Sequence, residues 1–434
     1  MRRRLLGRLA VAGCTLSLLL TPSLADAHDG DRGPSYKRVG YFTQWGVYGR
    51  DFQVNDLVTS GTAARLTHLN YAFGNVGADG RCFEANIPGE GDAWADYQRP
   101  LDAANSVDGV ADTADQAVAG NFNQLRELKA KYPKLKVLIS LGGWSWSTHF
   151  SDAVRTPAKR KAFVASCIDL FLKGDLPLLD GKGGPGSARG IFDGIDIDWE
   201  WPNWPADTDT VYRPEDKQNY TAMLAEFRRQ LLVQGLKDHK RYLLTAFLPA
   251  NPNAMDAGFE AGKVFDLLDF ATVQGYDLHG PWESETNQQS AIGSPDFSLT
   301  QVVQDWRQRG APGRKIVVGV PFFGHGWTGV TGGGDGYQQP ATGPAPATWE
   351  AGYEDYKVLK QLAESGGYTV YRDEANGHAW LFDGTTFWNY DDPQVVRAKA
   401  DWVRENRLGG AMVWSLDGDT ANGELFAALS AGLM

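Results

Sequence analysis

Three cysteines, five methionines and seven histidines are few for 434 residues. No group of Cys, His and carboxylates stands at metal-cluster spacing, so no metal is expected, and no cofactor either. Positive charge is also short. Against 53 Asp and Glu stand 42 Lys and Arg, a formal net charge of −11. Nucleic acid, which needs a basic face, is therefore not expected as a partner. No apolar run reaches the ~18 residues of a membrane span. A Pro/Thr-rich linker and an internal repeat are both missing, so an appended binding module is not expected. What is abundant is Gly, at 51 residues, and aromatic side chains, with 15 Trp, 16 Tyr and 20 Phe. That mixture suggests tight loops and a surface built for flat, apolar partners.

The N-terminus reads as an export signal over residues 1–27. Arg2, Arg3, Arg4 and Arg8 form a positive region, residues 9–20 an apolar run, and Ala25-Asp26-Ala27 a small-x-small cleavage site. Its removal takes away four Arg and one Asp and moves the net charge from −11 to −14. The mature chain is expected to be secreted, extracellular, free of the membrane and monomeric. A lipoprotein signal at Cys14 competes, but Arg8 cuts into the apolar run that should precede that cysteine. Export makes a disulfide permissible, and Cys82 and Cys167 allow one pairing. Two buried thiols are the alternative.

Short apolar runs recur at 38–43, 66–73, 136–141, 191–198, 242–248, 269–276, 315–321 and 410–416. Near-continuous hydrophobic runs suit strands buried on both faces of a parallel sheet. Helical patterns fall at 121–130, 157–172, 214–232, 299–308, 393–406 and 421–433. Strands alternating with helices predict an α/β fold, a (β/α)8 or TIM barrel, over residues 36–433. Two intervals are too long for plain connections. Residues 77–120 read as a loop or loop-helix excursion. Residues 327–390 read as a small α+β insertion between strand seven and the last barrel strand, with strand-like pieces at 367–371, 378–382 and 386–390.

The richest stretch runs Phe192-Asp193-Gly194-Ile195-Asp196-Ile197-Asp198-Trp199-Glu200. Side chains alternate faces along a strand, so Asp196, Asp198 and Glu200 share one face and Ile195, Ile197 and Trp199 the other. Asp193 falls off the carboxylate face and reads as structural. Neighbouring like charges and burial must raise at least one carboxyl pKa. A carboxylic acid kept protonated near neutrality is what a general acid needs. A solvated edge strand would not interleave its carboxylates with Ile and Trp, and a calcium loop needs a Gly turn rather than a straight strand. At the C-terminal end of a barrel strand, such residues mark an active site.

This stretch resembles the D-x-x-D-x-D-x-E signature of family 18 glycoside hydrolases, the chitinase family. Asp193, Asp196, Asp198 and Glu200 match it completely. Ser140-Leu141-Gly142-Gly143 is similar to a second family motif, Gln274-Gly275-Tyr276-Asp277 to a third, and Gly409–Trp414 to the last strand with its terminal Trp. The insertion resembles that of the deep-cleft bacterial subfamily. The resemblance implies hydrolysis of β-1,4 bonds between N-acetylglucosamine units of chitin or chito-oligosaccharides, with retention. It implies that the substrate's own acetamido oxygen attacks, through an oxazolinium intermediate. Glu200 would be the general acid and base, Asp198 the partner of the acetamido N–H, and Asp196 a group sharing a proton with Asp198. Tyr276 would donate to the acetamido carbonyl, and Asp277 would meet the sugar near the cleavage point. Trp414 would floor the distorted sugar, with Trp144 and Trp282 as flanking clamps. Tyr41, Phe73, Trp349 and Glu350 are further substrate contacts, and Gly142 and Gly143 are structural members of their motif. The resemblance also implies cis bonds at Ala72–Phe73, Glu200–Trp201 and Trp414–Ser415. Two departures stand out: Gln274 replaces the usual Met, and Phe323-Gly324-His325 stands where the family often has Tyr-Gly-Arg. Alternative readings are an endo-β-N-acetylglucosaminidase acting on glycoprotein glycans, a chitin-binding lectin, which would typically lose the acid at Glu200, and an unrelated two-carboxylate hydrolase.

Overall fold

The computed structural model describes residues 35–206 and 209–434. The export signal and Cys14 lie outside the described residues. Eight parallel strands form the frame: β1 (Lys37–Thr43), β2 (His68–Val76), β3 (Lys136–Gly142), β4 (Gly194–Asp198), β5 (Leu243–Leu248), β6 (Phe270–Val273), β7 (Ile316–Pro321) and β8 (Gly410–Trp414). Each pairs with the next, and β1 also pairs with β8 from Lys37↔Gly410 to Gly40↔Val413, which closes the sheet into a barrel. All eight match sequence-predicted runs. The reason is burial on both faces: β4 and β7 are buried at every residue, which forces near-continuous apolar sequence.

Helices Gly120–Lys131, Pro157–Cys167, Asp216–Asp238, Leu299–Gln308, Pro393–Glu405 and Glu424–Leu433 fall where periodicity predicts them. Pro157 and Pro393 occupy first-turn positions, where a missing N–H costs nothing, and Thr156 and Asp392 cap the free amides. Two short helices, Pro252–Gly258 and Ala261–Leu267, give no sequence signal, because seven residues are too few to show a period. The interval at 77–120 carries short strands and a single wide helical turn at Trp94–Gln98. A disulfide between Cys82 and Cys167, with Cα atoms 4.9 Å apart, ties it to the helix Pro157–Cys167.

Between β7 and β8 stands a small antiparallel sheet with one helix, Tyr356–Glu364. Strands Thr369–Asp373, His378–Phe382 and Phe387–Tyr390 correspond to the predicted pieces. A further strand, Phe323–Thr328, pairs with Phe387–Tyr390 and with Tyr353–Asp355. Its Gly-rich sequence hides it, since glycine is a poor strand former. Trp327, Val330, Trp380, Phe382 and Phe387 give this layer its own apolar core. Among the described residues no helix is long and apolar enough to cross a membrane.

Candidate active site

Asp193 precedes β4 at the opposite end of the barrel from the carboxylate cluster. Its oxygens meet the Lys129 and Lys240 ammoniums at 3.0 and 2.6 Å and accept the Val137 amide N–H at 2.9 Å. Burial raises its pKa, but the two cations outweigh that and hold its carboxyl below the usual range. It locks strand to helix and reaches no cleft.

The other three carboxylates gather at the C-terminal mouth. Asp196 is fully buried and accepts from Tyr41 Oη at 2.7 Å, Ser140 Oγ at 2.8 Å and Thr245 Oγ1 at 2.5 Å. Both of its oxygens are thereby occupied. Asp198, also buried, leans instead toward Glu200. Burial first, then the charges of Glu200 and Asp196, lift its carboxyl well above the usual range. Burial pushes Glu200 up to about 8, and the nearby Asp277 charge adds to this. Two carboxyls at one desolvated point cannot both ionise cheaply, so the pair keeps a shared proton.

Backbone placement depends on close approach. Gly142 has φ +110°, and a Cβ there would sit 2.2 Å from the Asp198 carbonyl oxygen. Gly143 has φ +80° and donates its N–H to that same oxygen at 2.7 Å. Ser147 completes the turn: Oγ donates to the Gly143 carbonyl at 2.9 Å and accepts the Glu200 N–H at 2.9 Å. No sequence signal marks Ser147; it is one hydroxyl in a loop.

Above the carboxylates opens a cleft of about 970 Å³. Trp414 forms part of its floor, stacked on Phe73 with centroids 5.7 Å apart and flanked by Tyr41 at 5.3 Å. Trp144 and Trp282 are exposed on its rim, 52% and 63%. Tyr41 lines the cleft and spends its hydroxyl on Asp196. Trp349 lies beside a smaller adjoining recess, under the Arg50 guanidinium at 4.8 Å, while Glu350 borders both spaces. Trp45 and Trp146 also line the cleft and were not singled out from the sequence. Trp45 follows β1 as Trp144 follows β3, so the same rim rule would have found it. Trp199 faces outward and stacks on Phe150 at 5.3 Å. The bonds Ala72–Phe73, Glu200–Trp201 and Trp414–Ser415 are cis, as the resemblance implies.

Tyr276 is buried against Phe247 and Phe323. Burial, with the charges of Asp277, Asp198 and Glu200, keeps its hydroxyl protonated far above neutrality, so it is a donor. Asp277 follows at φ +58° and faces His325 Nε2 at 2.8 Å. Gln274 accepts the Ala250 N–H at 3.2 Å through Oε1.

A closed parallel barrel with a proton-sharing carboxyl pair at its C-terminal mouth, under an aromatic-walled cleft, has the architecture of barrel glycosidases. The profile described as "Glycosyl hydrolases family 18" matches residues 37–419, and the chain belongs to that family. It is 40% identical over 431 residues to "Chitinase 63" of Streptomyces plicatus, covering 96% of this chain and 64% of that protein. It is 41% identical over 400 residues to "Chitinase C" of Streptomyces lividans, covering 89% of this chain and 58% of that one. The chain thus spans about three fifths of these relatives' length. The solved catalytic domain of psychrophilic chitinase B from Arthrobacter TAD20 superposes with a TM-score of 0.87 at 46% identity, covering 92% of this chain and 95% of that one.

Proposed function

We propose that this chain is a secreted, monomeric chitinase that hydrolyses β-1,4 bonds between N-acetylglucosamine units with retention. The observation that carries this reading is buried Asp198 beside half-buried Glu200 in the lining of an aromatic-walled cleft. In the reaction the proton shared by Asp198 and Glu200 settles on Glu200, which gives it to the glycosidic oxygen. The C1–O bond to the leaving sugar breaks as the acetamido oxygen bonds to C1, forming the oxazolinium ion. Asp198 takes the acetamido N–H and balances the positive charge, and Tyr276 donates to the acetamido carbonyl oxygen. Water then attacks C1 as the C1–O bond of the oxazolinium ring breaks and returns the acetamide, and it gives its proton to Glu200, restoring the acid and leaving the β-anomer. Trp414 floors the distorted sugar, and Trp144 and Trp282 offer faces to neighbouring sugars. Residues 327–390 act as an insertion that raises one wall of the cleft.

The test is to mix the mature protein with N-acetylglucosamine hexamer and follow product anomers by proton NMR. β-Anomers are expected from wild type, with loss of at least about 10³-fold in kcat for Glu200→Gln. Binding without cleavage by wild type would turn the reading to a lectin. Neither binding nor cleavage would turn it to a glycoprotein-directed endoglycosidase.

A further inference from the structure

His325 stands between two acceptors. Its Nδ1 lies 3.0 Å from the carbonyl oxygen of Gly352, and its Nε2 lies 2.8 Å from Asp277 Oδ1. A carbonyl can only accept, so Nδ1 must carry a proton. Nε2 then either donates to an Asp277 carboxylate or accepts from an Asp277 carboxylic acid. Asp277 is about a third exposed, at 36%, so solvent supports its charge, and the ion pair is favoured over the neutral one. The ring is held from all sides. Trp282, Phe323 and Tyr353 pack against it at 5.2, 5.4 and 6.2 Å, and Asn389 Oδ1 accepts its backbone N–H at 3.0 Å.

Few charges reach it. Asp277 approaches from the loop after β6. Tyr353 and Glu350 approach from the insertion, with Arg50, Asp355 and Asp417 behind Tyr353. His279 and Glu283 are spent on each other at 3.1 Å. Asp277 in turn raises the Glu200 carboxyl. Contacts therefore run from the insertion backbone through His325 to Asp277, whose charge in turn acts on the acid.

We propose that His325 is a positioning residue held as the imidazolium, fixing Asp277 as a carboxylate beside Glu200 by joining it to the insertion. The proposal rests on the glycosidase reading above for its kinetics but not for its spectroscopy.

Two measurements test it. In wild-type protein labelled with ¹⁵N-histidine, the His325 signals, assigned by their absence in His325→Gln, are expected to report two bonded N–H groups at about pH 6. A neutral ring there would overturn the proposal, whether or not the protein cleaves the hexamer. In steady-state kinetics on the hexamer, His325→Arg, which keeps a charged donor toward Asp277, is expected to hold kcat/KM within a few-fold of wild type. His325→Gln should lower kcat/KM about 10- to 100-fold by loosening Asp277. A His325→Gln variant with wild-type kcat/KM would also overturn the proposal. Failure of wild type to cleave the hexamer at all would sink the glycosidase reading instead, and the ring spectrum would still decide the ion pair.

Discussion

Asp277 carries its charge in a left-handed backbone turn, at φ +58°, with its N–H directed to Gln289 Oε1 at 3.4 Å. The turn places its charge where it acts on Glu200. Burial is the larger cause of the raised Glu200 pKa, and Asp277 adds to it. Deleting that charge must therefore lower the Glu200 pKa. An acid is active while protonated, so Asp277→Asn is expected to move the alkaline limb of kcat/KM to lower pH, starting from a wild-type limb near pH 8. A limb that stays in place would show that the two groups are electrically independent. At this scale the sequence was most readable. Parity along one strand separated Asp193 from Asp196 and Asp198, because period two is a property of the backbone alone. It did not reveal that Asp198 would turn to Glu200, or that Tyr41 would serve Asp196. Those partners come from strands 155 residues apart or from a rotamer choice.

Among elements, the excursion at 77–120 has an unusual anchor. Glu84 and Asp96 are both buried, and Asp96 accepts from Tyr71 Oη and from Gln44 Nε2 at 2.5 Å. Burial holds Asp96 up at about 7 and Glu84 well above the usual range, and the two carboxyls share a hydrogen bond. The folded chain thus keeps protons that the unfolded chain releases near pH 4. Stability from this pair is whole below that range and is lost as pH rises through about 7. Glu84→Gln keeps a donor on Asp96 at every pH. Its Tm is expected to match wild type near pH 5 and to exceed it by roughly a few degrees near pH 8.5, as read by calorimetry. Equal Tm values at both pH values would show that the pair does not share a proton. The sequence presents this interval only as Gly- and Asp-rich chain, because its order depends on contacts with β1 and β2 rather than on a local period.

Across the whole molecule, one covalent bond closes a loop of 85 residues between Cys82 and Cys167. It joins the excursion to the helical ring. Loss of such a closure frees the unfolded chain. The double variant Cys82→Ser, Cys167→Ser is therefore expected to lose about 2–4 kcal/mol of stability in urea unfolding, as will wild type under reductant. A midpoint that reductant leaves unchanged would mean that the thiols are free.

The sequence by itself determined the barrel, the faces of the carboxylate strand and the motif residues. Each of these is written in local alternation or in a short run, and burial on both faces leaves the chain little choice of side chain. It did not determine the short helices after β5, the glycine-masked strand Phe323–Thr328, or the pairing of His325 with Asp277. Those were decided by the tertiary structure. A ring nitrogen, a carboxylate and a carbonyl that are 48 and 27 residues apart in the chain become partners only when the closed barrel and its insertion bring them within hydrogen-bond reach.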